Sequence, residues 1–224
     1  MADKVYEILL EQFMDGTRGA GEPLNIATLS RELDVSQTPI REALARLEHT
    51  GLVRREALKG YSVAPLFTEN DLLSLRAARV VLEPAMAVEA GRNVTAAFLN
   101  TLLETIEVLD AVSGSNTDTR TFPRFWSADE KFHTAIAAQS GNQFLAMAYS
   151  ALGGQVQRFR LFAELGTSDA RFAAIEHRRI YDAFVRNDPV DAAEQMRRHV
   201  SDAGTRALKD LGALEHPGVH EIVH

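Results

Sequence analysis

The chain has 224 residues, 46% hydrophobic and 25% charged, with a formal net charge of −7. That length supports one large domain or two small ones, each with a real core, and the acidic balance excludes a protein that coats nucleic acid over its whole surface while leaving room for a local basic patch. There is no cysteine, so disulfides and thiolate metal sites are excluded; the N-terminus lacks a basic segment followed by an apolar run and no stretch approaches the roughly 20 apolar residues of a membrane span, so a cytoplasmic protein with no membrane partner is expected.

Val5, Ile8, Leu9 and Phe13 form a helical stripe after Asp3 as a candidate cap, predicting a first helix that ends near Asp15-Gly16. Gly16 to Pro23 is a turn-rich break. Ile26, Leu29 and Leu33 predict a short second helix ending at Asp34. A third begins at Ser36, whose hydroxyl is placed to cap the first turn, and Pro39 falls inside that turn, where its missing N–H costs nothing. Ile40, Ala43, Leu44 and Leu47 make one apolar face, leaving Gln37, Thr38, Arg41 and Arg46 outward. After Gly51, Leu52–Glu56 and Tyr61–Ala64 read as two strands around Ala57-Leu58-Lys59-Gly60, closed by Pro65. Two short helices joined by a tight turn, the second with a polar tip, followed by a hairpin, make a winged helix-turn-helix.

The run Val35-Ser36-x-Thr38-Pro39-Ile40-Arg41-Glu42-Ala43-Leu44-x-x-Leu47-Glu48-x-x-Gly51-Leu52-Val53 closely resembles the signature of GntR-family bacterial transcription regulators, with Leu24, Leu29 and Gly60 also in place. The resemblance covers roughly residues 5–65. It implies DNA binding by the Ser36 helix in the major groove, with the wing near the minor groove. The implied contacts are Ser36, Gln37, Thr38, Arg41 and Arg46 on the helix and Lys59 and Gly60 on the wing. Two positions depart from the pattern: Gln37 stands where many relatives carry Arg, and Ala27 where some carry Arg in the second helix. Because Gln pairs with adenine N6/N7 and Arg with guanine O6/N7, an operator less dependent on guanine under Gln37 is expected. The competing reading is a solvated helix whose Arg41 and Arg46 pair with Glu42 or Glu48.

From Thr68 the pattern is helical. Thr68-Glu69-Asn70-Asp71 reads as a capping box opening a long helix to Gly91, with Pro84 as a kink or break. Thr95 opens the next, Ser113–Thr119 is a polar loop, and Phe122–Ala138 forms a third. Phe144 to about Phe162 is a fourth, containing Gly153-Gly154. Asp169–Arg186 is a fifth, and Asp188-Pro189 opens a sixth that ends near Leu211. The expected organisation is mainly α: a winged helix-turn-helix over 1–66, an all-helical bundle over 67–212 and a tail over 213–224.

Asp129 and His133 are four apart on one helix and share a face. His177 and His199 lie on the fifth and sixth helices within amphipathic patterns. One carboxylate and three imidazoles, if they converge, make a divalent site suited to zinc or nickel. Each histidine taken singly is more often a packed core or surface residue. His216, His220 and His224 sit in the tail, poorly placed to join the set.

Asp129-x-x-Phe132-His133 with Ser140-Gly141-Asn142, Glu176-His177-x-x-Ile180, Met196-x-x-His199 and Arg79-x-x-Leu82-Glu83 resemble the FCD effector-binding domain of FadR-like GntR regulators over roughly residues 69–211. The resemblance implies a divalent metal ion (zinc, with nickel or manganese as alternatives) on Asp129, His133, His177 and His199. It also implies a small carboxylate effector completing the coordination and contacted by Arg79, with Arg158 and Asn142 as further candidates. A guanidinium fork suits a carboxylate, although Arg158 and its neighbour Arg160 read equally well as surface salt bridges. Trp126 and Phe132 read as core packing. The function expected from both resemblances is a metabolite-responsive repressor, a homodimer on a palindromic operator, and not an enzyme. The alternative is a helical metallohydrolase using the same Asp/His set. It lacks a general base, because Glu130 and Glu176 are expected to point elsewhere.

Overall fold

The computed structural model describes residues 1–14, 16–113, 122–162 and 168–215; within these, the side chains of 14, 122–123, 153–154, 156–162, 168–170, 210 and 212–215 are not described. Among the described residues the chain is mainly α with one small sheet. It divides into two compact units: Met1–Phe67 together with the segment of the seventh helix from Gly153, and Thr68–Leu152 together with the last two helices. Nothing in the sequence pattern predicts the grouping of residues from Gly153 with the first unit.

In the first unit the order is α1 (Ala2–Met14), β1 (Pro23–Leu24), α2 (Ile26–Glu32), α3 (Gln37–His49), β2 (Val53–Glu56) and β3 (Gly60–Val63). Asp3 lies inside the first turn of α1 rather than capping it, which suits a carboxylate near the positive end of the helix dipole. A cap that the spacing does not reveal is Asn25, whose side chain accepts from Thr28 N at 3.0 Å. Between α2 and α3 the chain turns at Asp34, with φ +51°, and the Ser30 hydroxyl donates to the Val35 carbonyl at 2.5 Å across that turn. Asp is one of the few residues that tolerate this left-handed backbone. Leu29, Ile40, Ala43, Leu44 and Leu47 are buried with Val5, Leu9 and Phe13 of α1, so the predicted apolar face of α3 is its inner face. The sheet has three strands, β1-β3-β2, all antiparallel. Its hairpin pairs Val53 with Val63 and Glu56 with Gly60. The two-residue β1 lies where a plain turn is expected: it is too short to show alternation, and Pro23 reads as a strand breaker.

The second unit contains α4 (Glu69–Gly91), α5 (Ala96–Ser113), α6 (Phe122–Gln139), the part of α7 (Gln143–Phe162) up to Leu152, α8 (Ser168–Val185) and α9 (Pro189–Glu215). The capping box opens α4 as expected: Thr68 N donates to Asp71 Oδ2 at 2.9 Å and Asp71 N to Thr68 Oγ1 at 3.2 Å. Pro84 does not break α4, which runs through it to Gly91. Thr95 and Asp188 cap α5 and α9 through Phe98 N and Asp191 N. Helix α9 continues to Glu215, past the predicted end at Leu211. Most of the expected polar loop Ser113–Thr119 and most of the tail, with His216, His220 and His224, lie outside the described residues.

One apolar core joins these helices, through Met86, Phe98, Leu102, Ile106, Phe132, Ile136, Ile180, Phe184, Met196 and Val200. Helices α4 and α9 approach closely because small residues allow it. A Cβ at Gly91 would stand 2.7 Å from Pro189 Cβ, and one at Gly204 would stand 2.7 Å from Arg76 Cδ. That approach sets α4 beside the helices that carry the acidic and imidazole side chains.

Candidate DNA-reading surface and candidate metal centre

The N-terminal tip of α3 presents Ser36, Gln37, Thr38 and Arg41 to solvent. Ser36 has the extended backbone of an N-cap, with ψ 163°, but its hydroxyl makes no capping hydrogen bond. The expected cap contact is therefore corrected: the hydroxyl stands exposed beside the first-turn amides of α3, a combination that suits a phosphate. Arg41 Nη2 donates to Gln37 Oε1 at 3.4 Å, so the two candidate base readers lie against each other. The competing idea of Arg41 or Arg46 paired with Glu42 or Glu48 finds no support among the described ion pairs. Arg46 is engaged on the other side: Nη1 reaches Asp3 Oδ1 at 2.5 Å and the guanidinium lies 4.5 Å from the Tyr6 ring centroid. It is five residues beyond Arg41 and, while still exposed, it reaches toward α1 and links α3 to that helix. At the wing, Lys59 Nζ pairs with Glu56 Oε2 at 2.8 Å, and Gly60 has φ +89°. The ion pair raises the Lys59 pKa and lowers that of Glu56. Both side chains stand in water, where such a pair contributes little.

The second unit carries its charges inside. Asp129 and His133 on α6, His177 on α8 and His199 on α9 are all buried, and one donor atom from each lies within 4.8 Å of the others. His199 Nε2 and His133 Nε2 are 3.2 Å apart, His177 Nε2 is 3.6 Å from Asp129 Oδ1, and His133 Nε2 is 3.9 Å from Asp129 Oδ2. Ligands on a tetrahedron with bonds of about 2.1 Å stand roughly 3.4 Å from one another. The donor spacing therefore fits a single first-row divalent ion.

A surrounding layer orients the rings. His133 Nδ1 lies 2.7 Å from Glu83 Oε2 on α4, and His199 Nδ1 lies 2.8 Å from Glu176 Oε2 on α8. At His199 a carboxylate on Nδ1 favours the proton there and an Nε2 lone pair, the form that ligates a metal, whereas at His133 the approach of Glu83 is an ion-pair contact without hydrogen-bond alignment. The two Nε2 atoms, 3.2 Å apart, call for a proton or a cation between them, and a cation there is what a metal site supplies. Burial drives His199 toward its neutral form, outweighing the opposing pull of Glu176. The His177 ring is held by stacking on Phe132, with centroids 3.8 Å apart and planes 8° from parallel. Phe132 is thus a positioning residue as well as the predicted core residue.

Each second-layer carboxylate is itself held by an arginine. Glu83 Oε1 accepts from Arg79 Nε at 2.5 Å, and Glu176 receives Arg206 Nη1 at 2.8 Å and Nη2 at 3.0 Å. Burial alone would raise the Glu83 pKa, but Arg79 and His133 outweigh it and hold the carboxyl at about 2. Glu83 in turn raises the Arg79 pKa against the effect of burial. Glu176 is likewise lowered: burial raises it, and His199 and Arg206 prevail. Buried Tyr149 of α7 stands near the same group, its ring centroid 6.2 Å from that of His133, and burial pushes its hydroxyl well above the usual phenol range.

Sequence reading singles out all four donors, and the structure brings them together. It misses Arg206 and Tyr149, and it puts Glu176 elsewhere. Glu176 is in fact on the inner side of α8, one residue before His177, because Nδ1 of His199 approaches from α9. Arg79, the expected effector contact, is buried with its Nε bound to Glu83; its Nη2 is buried without a hydrogen-bond partner among the described residues. Asn142 is displaced from the expected effector set. It is exposed and caps α7, accepting from Phe144 N at 3.0 Å and Leu145 N at 3.3 Å. The side chains of Arg158 and Arg160 lie outside the described residues.

Known proteins resemble both units. Residues 1–63 match the bacterial regulatory proteins of the gntR family, and residues 74–202 match the FCD domain. The chain is 28% identical over 203 residues to the probable D-xylose utilization operon transcriptional repressor of Paenarthrobacter nicotinovorans, covering 90% of this chain and 86% of that one. It is 25% identical over 202 residues to the HTH-type transcriptional repressor GlaR of Escherichia coli (strain K12), covering 87% and 90% respectively. The fold matches that of E. coli McbR/YncC with a TM-score of 0.72 at 19% identity, over 94% of this chain and 98% of that one. Among the described residues no helix is long and apolar enough to cross a membrane. The matched domains and relatives are those of a transcription regulator and give the metallohydrolase alternative no support. The chain belongs to the GntR family of bacterial regulatory proteins, with a gntR DNA-binding domain followed by a metabolite-binding FCD domain.

Proposed function

We propose that this protein is a metal-dependent, carboxylate-responsive repressor that binds a two-fold operator as a homodimer. Ser36, Gln37, Thr38 and Arg41 contact the major groove and its phosphates, with Lys59 and Gly60 at the wing. Arg46, bound to Asp3 and Tyr6, supports α3 from behind. Asp129, His133, His177 and His199 hold one divalent ion, with zinc preferred for three imidazoles and one carboxylate. Such an ion supplies a Lewis-acidic position for an anionic ligand. The observation that carries this reading is the facing of two Nε2 atoms at 3.2 Å while both Nδ1 atoms lie on carboxylates.

The effector is a small carboxylate, because the cation at hand is Arg79 with one nitrogen still open. Glu83 occupies Nε, so an incoming carboxylate would be held at Nη2, and an ion on the four donors would supply a second, Lewis-acidic partner. An effector alters operator affinity only by binding the two DNA-binding arrangements unequally, and Pro65–Phe67 is the segment through which that difference passes. Repression is the direction that the two named relatives favour.

A gel shift on the protein's own upstream DNA tests the reading, run with and without zinc and across a panel of carboxylic acids. Wild type shifts the fragment, and one acid class releases it only when zinc is present. His177→Ala with His199→Ala keeps the shift and loses the release. A double variant that responds to the acid as wild type does would remove the metal from the account.

A further inference from the structure

Leu58 of the winged unit has no role in the reading above. It occupies the tip of the β2–β3 hairpin with a relative exposure of 108%. Its φ is +67°, in the left-handed region that glycine adopts freely and leucine does not. Gly60, two residues on, has the other positive φ of the hairpin, and there the residue is glycine. An apolar side chain that is fully in water on an unfavourable backbone persists where function holds it, and the inference from such an outlier to a role is the sound direction.

The surroundings indicate what the tip meets. Arg54 and Arg55 on β2 and Lys59 in the turn are exposed, Lys59 paired with Glu56 and Arg55 lying over the Tyr61 ring, so an apolar point stands on a hairpin with three cations and one carboxylate. With α3 in the major groove, the next furrow along the duplex is the minor groove, roughly 6 Å wide, walled by sugars and edged by phosphates. That width excludes a helix and admits the tip of a hairpin. We propose that Leu58 inserts into the minor groove and makes the wing a reader of A·T against G·C.

The chemistry follows from the groove floor. A·T and T·A pairs present only adenine N3 and thymine O2, whereas G·C adds the guanine 2-amino group. That group projects toward the tip. Leucine methyls offer it no acceptor, so closing over guanine buries a donor unsatisfied. The arginines and the lysine would track phosphates without regard to sequence. Discrimination at the wing would thus come from an apolar side chain, and Ala or Gly at the same tip would not supply it.

This inference rests on the DNA-binding reading, and the experiment separates the two. Full-length protein loaded with zinc selects duplexes from a random pool. The affinities of the selected site are then measured with A·T, G·C or inosine·C at the positions flanking the major-groove core. Inosine lacks only the 2-amino group. For wild type, A·T and inosine·C bind alike, and G·C binds about fivefold or more weakly. Leu58→Ser narrows that ratio to within about twofold while selecting the same core, and Leu58→Met retains it. If inosine·C binds as poorly as G·C, or if Leu58→Ser discriminates as wild type does, the proposal is overturned while DNA binding stands. A wild type that selects no sequence removes both.

Discussion

The two units treat charge in opposite ways. At the tip of α3 and in the wing, the functional groups stand in water on a scaffold whose buried positions are apolar, from Leu29 to Val63. In the helical unit the functional groups are the interior: Arg79, Glu83, Asp129, His133, His177 and His199 are buried among Phe132, Ile180 and Met196. The lesson concerns separability. An exposed reader can be changed without disturbing the fold that presents it. A buried charged group cannot, because its partners would be left uncompensated in a medium that does not solvate them.

The largest effect expected is therefore on stability at a residue that ligates nothing. Glu83→Ala strands Arg79 and frees Nδ1 of His133, at a cost of about 3–5 kcal/mol in denaturant unfolding of the metal-free protein. Replacing Arg79 and Glu83 together by Met and Leu costs less, since no single charge is left behind. Acid gives an independent check. The Glu83 carboxyl is lowered from 4.5 to about 2 in the fold, so its contribution is present above the unfolded value and is lost as pH falls from 4.5 toward 2. Glu83→Gln should flatten that part of the stability profile.

One step smaller is the second carboxylate. Glu176→Ala leaves all four donors in place but releases Nδ1 of His199, and metal affinity should fall about 10–100-fold in competition with a chromophoric chelator. An unchanged affinity would reduce Glu176 to a partner of Arg206 alone.

The winged unit should behave otherwise. Arg41→Ala should weaken operator binding by about 1–3 kcal/mol and change unfolding by no more than about 0.5 kcal/mol. Arg46→Ala should leave operator binding within about twofold and lower stability by at most about 1 kcal/mol, as an exposed pair does. A large loss of DNA affinity in Arg46→Ala would put that residue back among the DNA contacts.

The same contrast explains what is readable in the sequence. Helical spacing of Ile40, Ala43, Leu44 and Leu47 fixes which side of α3 is buried, so its outward residues are identifiable from the apolar pattern alone. Asp129 and His133 share a face by spacing, and their pairing with His177 and His199 comes from motif resemblance. Neither route reaches the orienting layer. Whether Glu176 points inward depends on the approach of α9, twenty-three residues further on, and the placement of Glu83 on His133 depends on how α4 packs. The Asn142 cap escapes for a different reason: an Asn before a helix competes with any ligand role, and local hydrogen bonding wins. Sequence alone does not decide Arg46, because an exposed arginine on a recognition helix looks the same whether it faces DNA or a neighbouring helix.

The central claim is that four buried donors hold one ion. Its most direct test is the zinc content per chain, by elemental analysis, of wild type and of His177→Ala with His199→Ala after dialysis against the same limiting free zinc, with helicity checked by circular dichroism. The account predicts about one zinc per wild-type chain and almost none in a folded double variant. Equal zinc in the two, or none in either, would contradict it.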